Sequence, residues 1–572
     1  MTGAQGVRGQ NLYALDTNIQ RLLERTLGGD LDPWVATLES FGNWVGDAVD
    51  VQAEHTHRSA PPVLEPYDRN GQLANHIRHN PLWDQVATEV YQRGAVGLSY
   101  GDTPAPHTIT FAIGYLLSQA DVSLHCPVTM TGAVAYVLDR FAPAEIRDRY
   151  LSELVRTDGK ALTGGTWATE LHGGSDVGAT TTVARSEGDH FRLTGLKWFV
   201  SNTNGGLALA TARPQGAPNG SKGLGLYLVP THVDGAPNDF RIRRLKDKLG
   251  TIGVPTGEVD LLDAWALEVA PPPLGIKLMM EALGYSRIHN AVAAAGLSRR
   301  AFLETVSYLR DRDAFGQNVL RYPMMQDEIL DMLVRLESGT AMAFAAAQAF
   351  DVAHVTDIDD ETSARAWLRL VTALAKYQTA DDANVLARAA IELIGGNAYT
   401  YDYVTPRLLR DAQVLTVWEG PANIQALEVL RMIGNRAPGF EAMVDRVAAA
   451  ARSAPTTLGD IAQRLERAMQ DCRDAVAYVR SDPTEAQRHA RRLMILLSDT
   501  LGGALLLEEA IHDLGHGDAR KALIARLYMD KRFPETTARG IGPGRDWVHR
   551  HFDALIAYEP IDADRHLLRA VG

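Results

Sequence analysis

Hydrophobic residues recur at helical spacing through about the first 160 residues. In TNIQRLLERTL, Ile19, Leu22, Leu23 and Leu27 would lie on one face of a helix. The segments AIGYLLSQAD and AVAYVLDRFA repeat this spacing, and several prolines divide the region into separate pieces. The pattern therefore predicts an N-terminal helical domain over residues 1–160.

The spacing changes between residues 161 and 273. HFRLTGLKWFVSN, LALATARP and GLGLYLVPT follow a period of two and are separated by glycine and asparagine, which predicts a β-rich middle domain. Helical spacing returns over residues 274–436, where abundant alanine suits close packing in a bundle, and again over residues 440–572. The predicted fold is mainly α with a central β-domain, in the order α–β–α, plus an appended C-terminal α-helical domain.

Composition, charge and cysteine spacing argue against several classes of protein. The chain has 572 residues and a formal net charge of −13, which argues against a protein that coats nucleic acid. The two cysteines, Cys126 and Cys472, lack the spacing of metal ligands or of a disulfide framework. We find no signal-peptide core and no apolar run long enough to span a bilayer. These features predict a soluble cytoplasmic protein without a metal site.

Two segments of the predicted β-rich domain carry candidate ligand-binding groups. In TWATELHGGSDV (166–177), glycines before Ser-Asp would let the backbone approach a ligand and offer donors to phosphate or ring oxygens. The alternative is a plain loop between strands. In GLKWFVSN (195–202), Phe199 and Ser201 would share one face of a strand, where they could stack on a flat heterocycle and bond its edge. The alternative is an aromatic residue that fills a β-core.

Two further candidates lie in the predicted bundle. In LRDRDAFG (309–316), an arginine beside a helix end could clamp a pyrophosphate, or it could belong to a solvated helix face. In ELIGGNAY (392–399), the Gly-Gly pair could end a helix, or it could leave a bare surface against which a cofactor lies.

A single carboxylate follows an apolar run in VLTVWEGPAN (414–423). If the run is buried, Glu419 would be poorly solvated, and its pKa would rise toward neutrality. A carboxylate tuned in this way can remove a carbon-bound proton. The alternative is an ordinary exposed turn glutamate.

All five segments occur in this order across an α–β–α chain, and together they resemble the acyl-CoA dehydrogenase family. The resemblance covers about residues 75–435. CPVTMT, RRLKDKLG and GQNLYALD resemble the AidB-like branch of the family, whereas KRFPETTARGI (531–541) resembles the extra helical domain of long-chain members.

The resemblance implies FAD as the cofactor. Thr169 and Ser175 would contact the flavin and its phosphates, Phe199 would flank the ring, and the Ser201 hydroxyl would lie near flavin N5. The cofactor-binding positions implied by the motifs are Trp167, Thr169, Ser175, Phe199, Ser201, Arg312, Phe315, Gln326, Gly395, Gly396 and Asn423. Because the positions from Arg312 to Gly396 would serve the cofactor of a neighbouring subunit, a homodimer or homotetramer is implied.

The resemblance also implies a reaction. Glu419 would remove the α-proton of an acyl-CoA, or acyl-carrier, thioester while hydride leaves the β-carbon for flavin N5, and an electron-transfer flavoprotein or similar acceptor would reoxidise the cofactor. Ser175, Arg287 and Gly420 would contact the substrate. Some family members place the base immediately before the arginine matching Arg287. Here that residue is Ser286, which leaves Glu419 as the candidate.

Two alternative functions remain open on the sequence alone. The AidB-like features allow a flavoprotein that binds and protects DNA, but residues 440–572 contain 19 Lys and Arg against 20 Asp and Glu, which is not a basic surface. A flavin oxidase or monooxygenase on the same fold is the other alternative. The presence of Glu419 favours the dehydrogenase.

Overall fold

The computed structural model describes residues 6–355, 363–434, 438–534 and 549–563. The chain forms two compact units. We call Trp44–His289 the α/β unit, and Met1–Asn43 together with Asn290–Gly572 the helical unit. The division falls inside the helix Leu274–Arg310.

Most of the described residues are helical. The helices are α1 Thr17–Leu27, α2 Val35–Trp44, α3 Asp50–Ser59, α4 Pro81–Gln92, α5 His107–Ala120, α6 Val122–Phe141, α7 Ala144–Val155, α8 Leu274–Arg310, α9 Pro323–Ala353, α10 Ser363–Ile394, α11 Thr405–Leu415, α12 Ala422–Met432, α13 Gly439–Ser453, α14 Gly459–Ser481, α15 Pro483–Gly515, α16 Arg520–Arg532 and α17 Phe552–Ala557. Buried alanines line α9 and α10, which pack against each other in the helical unit because small side chains allow close approach. None of the described helices combines the length and apolarity needed to cross a bilayer.

The strands belong mainly to the α/β unit. They are β1 Val63–Tyr67, β2 Leu73–Arg78, β3 Gly164–Trp167, β4 Val183–Glu187, β5 His190–Ser201, β6 Leu207–Pro214, β7 Gly225–Pro230, β8 His232–Val233, β9 Ala236–Pro237, β10 Phe240–Leu245, β11 Thr256–Ala270, β12 Asp313–Ala314 and β13 Gln317–Asn318. Seven strands form one sheet in the order β10-β11-β5-β4-β6-β3, and β7 joins β11 to β6, which closes part of the sheet on itself. The fold is thus mainly α with a central β-domain and further helices after it.

A hairpin of β1 and β2 interrupts the region in which helical spacing predicted only helices. Its turn is built by Asp68, whose Oδ1 accepts hydrogen bonds from the amides of Asn70 (2.8 Å) and Gln72 (2.9 Å). Most of its side chains are exposed or half-buried, so no strong alternation marks the two strands. The prediction of an entirely helical N-terminal region was therefore wrong at this hairpin.

The limits of the four predicted domains stay a prediction. The proposed boundary at residues 436–440 overlaps residues 435–437, which lie outside the described residues. The same holds for residues 535–541 of KRFPETTARGI and for the last part of the predicted C-terminal domain, residues 564–572.

Candidate functional site

A buried carboxylate anchors the TELHGGSDV loop in the α/β unit. Glu170 is 2% exposed, and its Oε1 lies 2.9 Å from Lys197 Nζ. The hydroxyls of Thr181 and Thr182 donate to the two carboxylate oxygens at 2.6 Å each, and both backbone amides donate as well. Burial by itself would raise the pKa of Glu170, but Lys197 and the two threonines outweigh it and lower the pKa to about 2. Glu170 is therefore ionised and fixes the loop.

The loop then turns sharply between Thr169 and Ser175. The Thr169 carbonyl accepts a hydrogen bond from Trp198 N at 2.9 Å, which ties the loop to β5. A Cβ added at Gly174 would lie 2.6 Å from Thr169 Oγ1, so only glycine allows this hydroxyl to sit against the turn. Ser175 is exposed. The turn thus offers hydroxyl groups at the surface of the unit.

Strand β5 turns an aromatic side chain outward beside a hydroxyl. Phe199 is 55% exposed, the neighbouring Val200 is buried, and Ser201 is half-buried. Lys246 Nζ lies 3.5 Å from the ring centroid of Trp198 and 4.8 Å from that of Phe199. The alternative in which Phe199 fills the β-core is therefore not what the structure shows. An exposed ring next to a hydroxyl fits a flat heterocycle.

Three other residues that were named from the sequence are buried in this unit. Trp167 is 2% exposed and packs in the sheet core, with its ring centroid 6.0 Å from that of Phe240. Arg287 is buried in α8. Ser286 is also buried, and its hydroxyl donates to the Ala282 carbonyl at 3.1 Å within the same helix. The Trp167 indole thus belongs to the core rather than to a ligand-facing surface.

The structure brings Arg312 and the Gly395-Gly396 pair together in the helical unit. Arg312 Nη1 donates to the Ile394 carbonyl, at the end of α10, at 2.7 Å. Gly395 has a φ of +90°, a conformation that favours glycine, and it ends the helix. An added Cβ at Gly396 would meet no atom within 4 Å. The pair therefore combines a helix stop with an open backbone surface beside a guanidinium group.

Phe315 and Gln326 differ sharply in exposure. Phe315 is 98% exposed at the tip of the β12–β13 hairpin, with a φ of +53°. Gln326 is buried, its Nε2 donates to the Leu320 carbonyl at 2.9 Å, and its Oε1 lies 2.6 Å from His549 Nδ1. Both ends of the Gln326 amide thus have partners within the helical unit, and its side chain does not face outward.

Glu419 lies in the turn between α11 and α12. It is half-buried and has a φ of +56°, which is rare for a residue with a side chain. Gln425 Nε2 donates to the carbonyls of Glu419 (3.0 Å) and Gly420 (2.9 Å), and Lys376 Nζ donates to the latter at 2.9 Å. The Trp418 indole donates to the side chain of Asn290. Buried polar groups thus hold the turn on both sides of the carboxylate.

Asn423 is exposed on the first turn of α12, three residues after Gly420. Its backbone N–H is one of those in the first turn of a helix that have no acceptor within the helix.

In the part of the chain that the structure describes, no group of three or more His, Cys, Asp and Glu side chains could hold a metal ion.

The sequence pattern did not indicate a role for Glu170 or Lys197. Both residues lie inside candidate motifs, TELHGGSDV and GLKWFVSN. Alternation alone places Lys197 on the same face as Phe199 and Ser201, so β5 by itself gave no signal that this lysine is buried.

Three family models match the chain. The model of the adaptive response protein AidB N-terminal domain matches residues 4–158, that of the acyl-CoA dehydrogenase middle domain residues 165–264, and that of the acyl-CoA dehydrogenase C-terminal domain residues 274–434.

Two curated relatives are similar over most of the chain. AidB of Escherichia coli (strain K12) is 30% identical over 449 residues, covering 76% of this chain and 80% of AidB. Acyl-CoA dehydrogenase family member 11 of Caenorhabditis elegans is 29% identical over 578 residues, covering 95% of this chain and 92% of the relative.

Solved structures are similar as well. Caenorhabditis elegans ACDH-11 in complex with C11-CoA superposes with a TM-score of 0.85 at 28% identity, covering 92% of each chain. Acyl-CoA dehydrogenase complexed with FAD from Bacillus anthracis has a TM-score of 0.69 at 16% identity, covering 86% of this chain and 88% of that one, which is a likeness of fold.

Proposed function

The chain belongs to the acyl-CoA dehydrogenase family of FAD-dependent oxidoreductases acting on acyl-CoA, and from this premise we propose that Glu419 is the base of an α,β-dehydrogenation. The observation that carries the proposal is the held turn around Glu419. A non-glycine residue in a left-handed conformation is strained, and such strain persists where the surroundings fix a residue for a task. Buried Lys376 and Gln425 provide this fixation.

The α/β unit offers groups that suit FAD. The exposed Phe199 ring would flank the flavin, the Ser201 hydroxyl would bond its edge, and Thr169 and Ser175 would bond the flavin and its phosphates. The chemistry of these groups fits the cofactor because it combines a flat apolar surface with hydroxyl donors. Trp167, whose indole is in the core, is left out of the proposed contacts.

In the helical unit, Arg312, Gly395-Gly396 and Asn423 are the proposed contacts with the cofactor's polar part. Arg312 already lies beside the glycine pair, and a guanidinium group can bond a pyrophosphate at two points. We propose that Arg312, the glycine pair and Phe315 serve the cofactor of a neighbouring subunit in a homodimer or homotetramer. The 98% exposure of Phe315 supports this, because a large apolar side chain gains free energy when a partner covers it. Gln326 is left out, since both ends of its amide are engaged.

When bound, FAD supplies the hydride acceptor for the β-carbon of the thioester. The Glu419 carboxylate takes the α-proton, the electron pair of that bond forms the new double bond, and the β-hydrogen leaves with its electron pair. The backbone N–H of Glu419 polarises the thioester carbonyl and favours enolate character at the α-carbon. Ser175, Arg287 and Gly420 are the proposed contacts with the substrate. An electron-transfer flavoprotein or a similar acceptor would take the electrons onward.

The relatives suggest which thioesters to test first. The ACDH-11 structure contains C11-CoA, so saturated acyl-CoAs of about this length are the first candidates for this chain. Acyl groups on a carrier protein are the second. Among the described residues, we find no specific feature that favours DNA protection or an oxidase reaction.

The test uses protein reconstituted with FAD and a panel of acyl-CoAs of increasing length, mixed without oxygen. We expect one or more thioesters to bleach the flavin absorption. The Glu419→Gln variant should keep FAD and lose about 10²- to 10⁴-fold in bleaching rate, because the proton acceptor is absent. Glu466→Gln, which changes an exposed glutamate of α14, is the matched control and should behave as wild type. Unchanged bleaching in Glu419→Gln would refute the assignment of the base.

A further inference from the structure

A chain of hydrogen-bonded polar side chains leads to Ser201 from the half-buried Lys248 in the α/β unit. Lys248 Nζ donates to Thr256 Oγ1 at 3.1 Å, and Thr256 Oγ1 lies 3.1 Å from Ser201 Oγ. Thr256 and Ser201 are direct partners on the antiparallel strands β11 and β5, so their hydroxyls lie on the same face of the sheet. Thr256 is 4% exposed. Neither Lys248 nor Thr256 belongs to the residues assigned above to cofactor or substrate.

The charge of Lys248 favours one direction along this chain of hydrogen bonds. A lysine ammonium has three donors and no acceptor, so Thr256 Oγ1 accepts from Lys248. Either hydroxyl could donate in the contact between Thr256 and Ser201, because a hydroxyl oxygen has two acceptor lone pairs. The Lys248 charge favours donation from Thr256 to Ser201 Oγ, since a hydroxyl that accepts from a cation becomes a stronger donor. In this arrangement the hydrogen of Ser201 points away from Thr256, and Ser201 is a donor toward a ligand that lies against β5.

The loop that carries Lys248 is itself held firmly. Lys248 Nζ donates to the carbonyls of Thr251 (2.7 Å) and Val254 (2.6 Å). Thr251 is buried and has a φ of +49°, which is rare for a β-branched residue. A Cβ added at Gly253 would lie 2.6 Å from the Trp83 ring, so the loop packs closely against the helices of the same unit. The ammonium group therefore has one defined position.

We infer that Lys248 and Thr256 are positioning residues that orient the Ser201 hydroxyl as a hydrogen-bond donor toward the flavin edge. This rests on the proposed function, in which Ser201 contacts the flavin. A donor with one fixed orientation loses less conformational freedom on binding than a freely rotating hydroxyl, and it contributes more to affinity. Charge on Lys248 also polarises the hydrogen-bonded chain in the direction of the ligand.

The experiment is a double-mutant cycle on FAD binding. Thr256→Val has nearly the same shape as threonine, removes the hydroxyl and leaves the two carbonyl contacts of Lys248 in place. We expect it to raise the Kd of the apoprotein for FAD by about five- to tenfold, measured by flavin fluorescence, and Thr256→Ser should restore the wild-type value. Thr256→Val should also reproduce the change that Ser201→Ala causes in the flavin midpoint potential. When Ser201→Ala is already present, adding Thr256→Val should raise the Kd for FAD by less than about twofold.

Thr203→Val is the matched control. Thr203 is a buried threonine whose hydroxyl donates to the Val200 carbonyl at 2.5 Å and lies 3.3 Å from the Pro255 carbonyl, near the same strands. Loss of its hydroxyl should leave the midpoint potential unchanged. If the effects of Thr256→Val and Ser201→Ala add fully, Lys248 and Thr256 only brace the loop, and the inference is wrong. If Ser201→Ala alone changes neither Kd nor potential, the proposed contact of Ser201 fails and the inference fails with it, while the Glu419 assignment stands on its separate test.

Discussion

Single residues in unusual conformations mark the candidate site in the helical unit. Glu419 and Phe315 both have positive φ, and each is followed by a glycine that also has positive φ. A residue with a side chain loses about 1 kcal/mol or more in this conformation. At Glu419, hydrogen bonds from Lys376 and Gln425 offset that loss and keep the carboxylate at one place. Pre-organisation of this kind suits a base that must meet one C–H bond.

Replacing Glu170 should lower the stability of the α/β unit by an amount that depends on pH. Its pKa of about 2 lies below the ordinary value of 4.5, so its contribution to stability is complete above pH 4.5 and is lost as the pH falls toward 2. Glu170→Gln would leave the buried Lys197 without its carboxylate. We expect a loss of about 3 kcal/mol in the free energy of unfolding of the α/β unit at pH 7. The difference from wild type should shrink at about pH 3, since wild-type Glu170 is losing its own advantage there.

The loss in the free energy of unfolding can be measured at pH 7 and at about pH 3 by urea unfolding followed by tryptophan fluorescence. Glu187→Gln is the control in the same unit, because Glu187 pairs with Arg192 at an exposed site, where an ion pair contributes little. Equal losses in the two variants at pH 7 would contradict the anchoring role of Glu170.

At the scale of elements, the β12–β13 hairpin carries the prediction about assembly. Its tip exposes Phe315, three residues after Arg312 in sequence. Phe315→Ser should weaken the association of subunits and lower the molar mass measured by light scattering after size-exclusion chromatography, because the apolar contact is lost. Far-ultraviolet circular dichroism should not change, since a side chain that is 98% exposed contributes little to the packing of its own unit.

Tyr478→Ser, at an exposed aromatic of α14, should leave the molar mass as it is. A wild-type protein that is monomeric at micromolar concentration would rule out the proposed neighbour contact.

Strand β5 shows how far alternation predicts a site. The sequence predicted that Phe199 and Ser201 share a face, and they lie on either side of the buried Val200. The pairing of β5 with β11 shifts between Val200 and Lys197, which lie opposite Gly257 and Val259. The sequence of β5 did not indicate this shift. Such a bulge re-aims side chains, and it depends on the partner strand. The inward position of Lys197 could therefore not be predicted from β5 alone.

At the scale of the whole chain, helix α1 and helices near the end of the sequence belong to one compact unit. Arg21 of α1 pairs with Asp518 at 2.6 Å, and Arg25 pairs with Glu509 at 2.8 Å. The segment predicted as the start of an N-terminal domain thus packs with helices that were predicted as an appended C-terminal domain. Because these charged partners are more than 480 residues apart in the chain, no local sequence pattern predicts that they pair.

Glu337 of α9 carries the prediction at this scale. It is buried, and its carboxylate lies 2.6 Å from Lys521 Nζ and also pairs with Arg520, both of α16. Burial would raise its pKa, but these two cations outweigh burial and lower the pKa to about 2. Glu337→Gln leaves two buried cations with less compensation, and we expect a loss of about 3–5 kcal/mol in the stability of the helical unit at pH 7.

Urea unfolding followed by circular dichroism measures this loss. Glu328→Gln, on an exposed position of the same helix, should change stability by less than about 0.5 kcal/mol. A Glu337→Gln variant as stable as this control would show that α16 is held to α9 by apolar packing alone.

The sequence by itself determined the family, the mainly α fold with its central β-domain and the FAD cofactor, and these predictions were confirmed. Periodicity and motifs depend on neighbours in sequence, so they can be read without coordinates. Only the tertiary structure decided which motif residues face outward: Phe199 and Phe315 are exposed, whereas Trp167 and Gln326 are buried. It also decided the pairing of Glu170 with Lys197, the link from Lys248 to Ser201 and the ion pairs of α1 with Glu509 and Asp518. These contacts depend on strand register and helix packing, which residues distant in sequence set together.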